Sequence, residues 1–98
     1  MNALGLIEIQ GLTAAIVALD EMTKTAEVEI VTWEKKLGGR LVTVIVRGNV
    51  SSVKEAVEVG IEKAGKVGRV AASAIIPNPH PEVLRMANLS AEKGIRRK

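Results

Sequence analysis

An α+β fold of order β-α-β-β-α-β, with an antiparallel sheet and both helices on one of its faces, is what this 98-residue sequence predicts. Three observations lead there. Four short runs carry the alternation or the β-branched density of strands. Two longer runs repeat apolar residues at helical spacing. Between the second and third strand runs lies a short loop containing Gly38 and Gly39, tight enough to make those strands a hairpin.

The elements follow in order. Ala3 to Ile9 reads as the first strand, with Glu8 its one charge, and Gly11 ends it. Leu12 to Thr25 follows as a helix, its buried face expected to be Leu12, Ala15, Ile16, Leu19 and Met22. Val28 to Glu34 alternates as a second strand. Leu41 to Val46 has five apolar residues in six, rich in valine and isoleucine, which is the pattern of a central strand covered on both faces. Gly48 and Asn49 end it.

Ser52 with Glu55 three residues on forms a capping-box pattern for a second helix. Val53, Ala56, Val57, Gly60, Ile61, Ala64 and Val67 give it one apolar stripe, and Gly60 inside that stripe is expected to let the helix sit close on the sheet. Val70 to Ile76 is the fourth strand, stopped by Pro77 and Pro79. Pro81 to Ala87 reads as a short C-terminal helix with proline in its first turn. This order is the ferredoxin-like arrangement.

Size and composition bound what such a domain does. Residues 1–87 are expected to form one domain and residues 88–98 a basic tail. The first 87 residues hold ten Lys and Arg against ten Asp and Glu, so the net charge of +3 comes from the tail: Lys93, Arg96, Arg97 and Lys98 against Glu92. The chain is 47% hydrophobic but has no Phe, no Tyr and one Trp. Its core must be aliphatic, and a small aliphatic domain gains from a partner surface, so an oligomer is expected. No apolar run reaches the length of a membrane span, and Met1 begins no signal-peptide pattern, which makes a cytoplasmic protein the expectation.

Little catalytic chemistry is on offer. There is no cysteine and one histidine, so a single chain has no histidine or thiolate cluster for a metal. His80, between Pro79 and Pro81, reads as a structural or interface hydrogen bonder. No serine has a nucleophile-elbow setting. No catalytic residue, metal or cofactor is assigned, and the chain is expected to be no enzyme. Sheet aromatics for RNA stacking are missing, since Trp33 stands alone and reads as packing at the loop base. The feature that stands out is the cationic loop, with Lys35, Lys36 and Arg40 around Gly38 and Gly39.

Five linked motifs carry a resemblance across most of the chain. They are Ala3-Leu4-Gly5-Leu6-Ile7-Glu8; Gly11-Leu12-Thr13-Ala14-Ala15-Ile16; Asp20-Glu21-Met22-Thr23-Lys24; Leu41-Val42-Thr43-Val44-Ile45-Val46-Arg47-Gly48-Asn49-Val50; and Ile75-Ile76-Pro77-Asn78-Pro79-His80. Together the sequence resembles the bacterial microcompartment shell proteins, the BMC-domain family of carboxysomes and metabolosomes. The resemblance implies a flat homo-hexamer that tiles into a shell facet with other shell proteins, around encapsulated enzymes, in the bacterial cytoplasm. It implies a pore on the six-fold axis for small anionic or polar metabolites, lined here by Lys36, Leu37, Gly38, Gly39 and Arg40. It places the hexamer-to-hexamer edge at Lys24, Asn78, Pro79 and His80.

Two departures stand against the family pattern. The usual pore loop is Lys-Ile-Gly-Ser-Gly, whereas Lys35-Lys36-Leu37-Gly38-Gly39-Arg40 is one residue longer and has no serine. Asn78 stands where the family has an edge arginine, losing a bidentate cation. Two other classes compete: a ferredoxin-like domain sensing a small molecule at a dimer cleft, and a nucleic-acid binder working through the basic tail. The first would stop at a dimer. The second would lose binding with residues 88–98.

Overall fold

The computed structural model describes residues 3–36 and 40–96. The elements are β1 (Ala3–Gln10), α1 (Leu12–Thr25), β2 (Glu29–Lys36), β3 (Leu41–Gly48), α2 (Val50–Ala64), β4 (Arg69–Ile76) and α3 (Pro81–Arg96). The four strands form one sheet in the order β2-β3-β1-β4 with every neighbouring pair antiparallel. The expected element order and hairpin are both present, and β3 is central as its β-branched run requires.

One face of the sheet carries the main core. Ile7 and Ile9 of β1 and Val42, Val44 and Val46 of β3 meet Ala14, Ala15, Ala18 and Met22 of α1 and Val53, Ala56, Val57 and Ala64 of α2. Small residues bring these layers unusually close. A β-carbon on Gly60 would stand 2.7 Å from Ile7 Cδ1 and 2.8 Å from Met22 Sδ. Gly60 therefore does let α2 press onto the sheet and α1, as its place in the apolar stripe predicts.

The buried face of α1 differs from the expected one. Ala14, Ala15, Ala18 and Met22 are buried, whereas Leu12 is exposed and Ile16 is 51% exposed. Alanines win the inner face because the helix lies too close to its neighbours for leucine or isoleucine. The displaced side chains give the outer surface an apolar character. Val67 is exposed too, because α2 ends at Ala64 and does not carry its stripe that far.

The start of α2 also needs correction. Asn49, not Ser52, is the N-cap: its Oδ1 accepts from the Ser52 N–H at 2.8 Å and from Ser51 Oγ at 3.0 Å. Both residue types cap well, and the chain uses the one that follows β3 directly.

The C-terminal helix runs past the expected stop at Ala87 and continues to Arg96. It covers part of the opposite face of the sheet, where Leu84 and Ala87 pack with Leu4, Leu6, Val31, Ile45 and Ile76. β3 is therefore covered on both faces, by α1 and α2 on one and by α3 on the other.

Candidate functional site

The β2–β3 hairpin presents the cationic loop from two fixed strand ends. In register, Trp33 lies opposite Val44, Lys35 opposite Val42 and Lys36 opposite Leu41. Trp33 is half-buried and packs against the main core, which is the packing role expected of it. The Lys35 ammonium lies 5.8 Å from the Trp33 ring centroid, within cation–π range. Lys35 thus lies back along β2 over the indole. Lys36 is the last residue of β2, and Arg40 is an exposed turn residue just before β3. Leu37, Gly38 and Gly39 lie outside the described residues.

The β3 foot of this loop has a tether that sequence reasoning missed. The Gly11 N–H donates to the Arg40 carbonyl at 3.1 Å. This bond sits two residues beyond Ile9↔Val42, the last rung of the β1–β3 ladder. Gly11 has φ 105° and ψ 127°, and its carbonyl accepts from the Ala15 N–H at 3.1 Å to begin α1. The positive φ is open to glycine and strained for other residues. The one sequence signal was a lone glycine between a strand and a helix.

A second group of expected site residues lies at the ends of helices. Lys24, in the last turn of α1, pairs with Asp20 at 2.8 Å. The hydrogen bond and charge of Asp20 hold the Lys24 ammonium above the usual lysine range, against a small loss of hydration, and Glu21 adds to the same field. Asp20 is therefore engaged by Lys24 within its own helix.

Asn78 and His80 are exposed on either side of buried Pro79. His80 caps α3: its Nδ1 accepts from the Glu82 N–H at 3.1 Å, and its carbonyl accepts from Val83 and Leu84 at 2.9 and 3.2 Å. Glu82 in turn pairs with Arg85 at 2.6 Å. Among the described residues no hydrogen bond or ion pair joins Lys24 to residues 78–80.

Sites for bound chemistry are few. No group of three His, Cys, Asp or Glu side chains among the described residues could hold a metal. An open depression on the outer side of α2 is lined by Ser51, Ser52, Lys54, Glu55 and Glu58, which are ordinary solvated side chains of an amphipathic helix. No helix among the described residues is long and apolar enough to cross a membrane.

Comparison with known proteins converges on one family. The BMC domain matches residues 3–79. The shell protein PduA of Citrobacter freundii is 53% identical over 82 residues, covering 84% of this chain and 87% of that one. The carboxysome shell protein CsoS1C of Hydrogenovibrio crunogenus is 45% identical over 95 residues, covering 93% and 92% respectively. Among solved structures, a microcompartment protein from Desulfitobacterium hafniense superposes with a TM-score of 0.79 at 34% identity. That match covers 87% of this chain and 48% of the other, so this chain spans about half of that protein's length.

Proposed function

The chain belongs to the BMC-domain family, and from that premise we propose that it is a structural shell protein of a bacterial microcompartment and not an enzyme. The observation that carries this reading is the family match across residues 3–79, with 53% identity to one shell protein and 45% to another.

The finer reading is a cyclic homo-hexamer in the shell of a compartment in the bacterial cytoplasm, joined to other shell proteins and enclosing enzymes. Physical support comes from the surface. Exposed Leu12, Ile16 and Val67 are apolar area that a neighbouring copy would remove from water. Cyclic closure repeats each residue around one axis. Six copies of the Lys36 to Arg40 loop around that axis would build a positive ring at a narrow opening. The innermost donors would be the backbone N–H groups of Gly38 or Gly39. Such a ring favours small anionic or polar metabolites.

The outer edge of the hexamer is assigned to Lys24, Asn78, Pro79 and His80. A charged residue at an exposed edge limits which edges can meet. Asn78 in place of arginine offers that contact hydrogen bonds without a cation.

Size-exclusion chromatography with light scattering tests the assembly. A species near six chains supports the tile, and a stable dimer overturns it. Electron microscopy of concentrated protein then tests tiling, with extended sheets the expected result.

A further inference from the structure

We propose that Gly11 is a positioning residue for the pore loop, acting through its hydrogen bond to Arg40; the inference rests on the pore reading above. Gly11 lies far from the loop in sequence, yet its N–H holds the Arg40 carbonyl at 3.1 Å. This bond ties the β3 foot of the loop to the β1–α1 corner, which buried Ile9 of β1 and Ala14 and Ala15 of α1 anchor to the core.

The requirement for glycine here is conformational and not spatial. A β-carbon on Gly11 would meet nothing within 4 Å, whereas one on Gly5, Gly60 or Gly68 would collide with packed neighbours. What excludes other residues is φ 105°. That backbone setting aims the N–H at Arg40 while the carbonyl, on the other side of the same residue, starts α1. A residue forced back to negative φ can keep α1 or keep the tether, but cannot readily keep both.

Gly11 therefore holds the backbone from which the Arg40 side chain departs, beyond the last β1–β3 rung at Ile9↔Val42. The opposite foot is held separately, by Trp33 in the core margin and Lys35 over its ring. Without the Gly11 bond Leu41 and Val42 stay paired to Lys36 and Lys35, but Arg40 loses its hold on the β1–α1 corner and its charge spreads.

Gly11→Ala isolates the backbone effect, because the added methyl has room. Passage of lactate and of the neutral lactamide through assembled shells reads the charge preference. The expected result is loss of part of the preference for lactate over lactamide, because the Arg40 backbone is no longer held in one place. Val53→Ala, a destabilising change in α2 remote from the loop, should leave the ratio unchanged. In the unaltered protein, the Gly11 amide should exchange with solvent slowly, as a bonded amide does.

A normal ratio in Gly11→Ala, with Arg40→Glu inverting it, overturns the inference and leaves the pore reading standing. If Arg40→Glu also changes nothing, the pore reading falls and this inference with it. Should Gly11→Ala fail to assemble, fast exchange of the Gly11 amide in the unaltered protein overturns the tether, and slow exchange supports it.

Discussion

Gly5 of β1 and Val57 of α2 approach so closely that a β-carbon on Gly5 would lie 2.7 Å from Val57 Cγ2, with Val53 Cγ1 at 2.8 Å. Valine cannot swing its γ-carbons aside without leaving its preferred rotamer. Gly5→Ala should therefore destabilise the protein by about 1–3 kcal/mol. Gly60→Ala meets softer neighbours, the δ-carbon of Ile7 and the thioether of Met22, and gains about 1 kcal/mol of helix propensity. Urea unfolding at fixed protein concentration should rank Gly5→Ala as clearly the more damaging change. The reverse order would mean that α2 moves freely on the sheet.

The cap of α2 gives a second ranking. Asn49→Ala removes the side-chain acceptor for the Ser52 N–H and should cost about 1 kcal/mol. Ser52→Ala leaves that N–H bond in place and should cost much less. Thermal melts of the two variants decide between an Asn49 cap and the capping box that Ser52 and Glu55 suggest.

Lys24→Asp should leave the hexamer intact and prevent sheets from forming, as judged by electron microscopy. It reverses the charge at the proposed edge and places a second carboxylate one turn from Asp20. Normal sheets from this variant would remove Lys24 from the edge.

The same lysine makes a pH prediction. Asp20 raises its pKa, so the pairing is fully present below the ordinary lysine range and is lost only as pH climbs through the higher folded value. Between about pH 6 and pH 9, far below that range, Lys24 stays charged. Lys24→Arg, which keeps the charge, should therefore assemble with the same pH profile as the unaltered protein in that window. Turbidity measured across the window checks this. A divergence of the two profiles there would mean that Lys24 loses its proton at the edge.

At the loop, changing Lys36 and Arg40 together to Glu should invert the preference of assembled shells for anionic over cationic solutes without unfolding the protein. Flux of matched dyes of opposite charge reads it. Equal flux before and after would turn these charges away from the channel.

His80 separates capping from edge contact. His80→Ala loses the acceptor for the Glu82 N–H and should speed exchange of that amide roughly two- to tenfold. Asparagine caps well, so His80→Asn should restore protection of Glu82. If His80→Asn still assembles poorly, the imidazole has a second role at the edge.

Much of the architecture was readable because periodicity is local. The β-branched run at Leu41–Val46, the Gly38-Gly39 loop and the stripe on α2 each announced their element. Other features depended on partners distant in sequence. Leu12 and Ile16 outrank alanine on any hydrophobic scale, so periodicity alone places them on the inner face of α1; Ala14 and Ala18 occupy it because the layers are close. α3 runs past its expected end at Ala87; among the described side chains Leu84 and Ala87 dock it on the sheet, and their partners Leu4, Leu6, Val31, Ile45 and Ile76 are distant in sequence. For the loop, the sequence supplied the charges at Lys36 and Arg40. The Gly11 bond that holds one foot joins residues that no short window contains.

Trp33 is the chain's lone indole, and it sits at the base of the loop beneath the Lys35 ammonium. Intrinsic fluorescence from this protein consequently has one origin per subunit. An added solute that disturbs the Lys35–indole pair changes the emission of an unlabelled sample, so the protein carries its own optical gauge at the mouth of the hairpin.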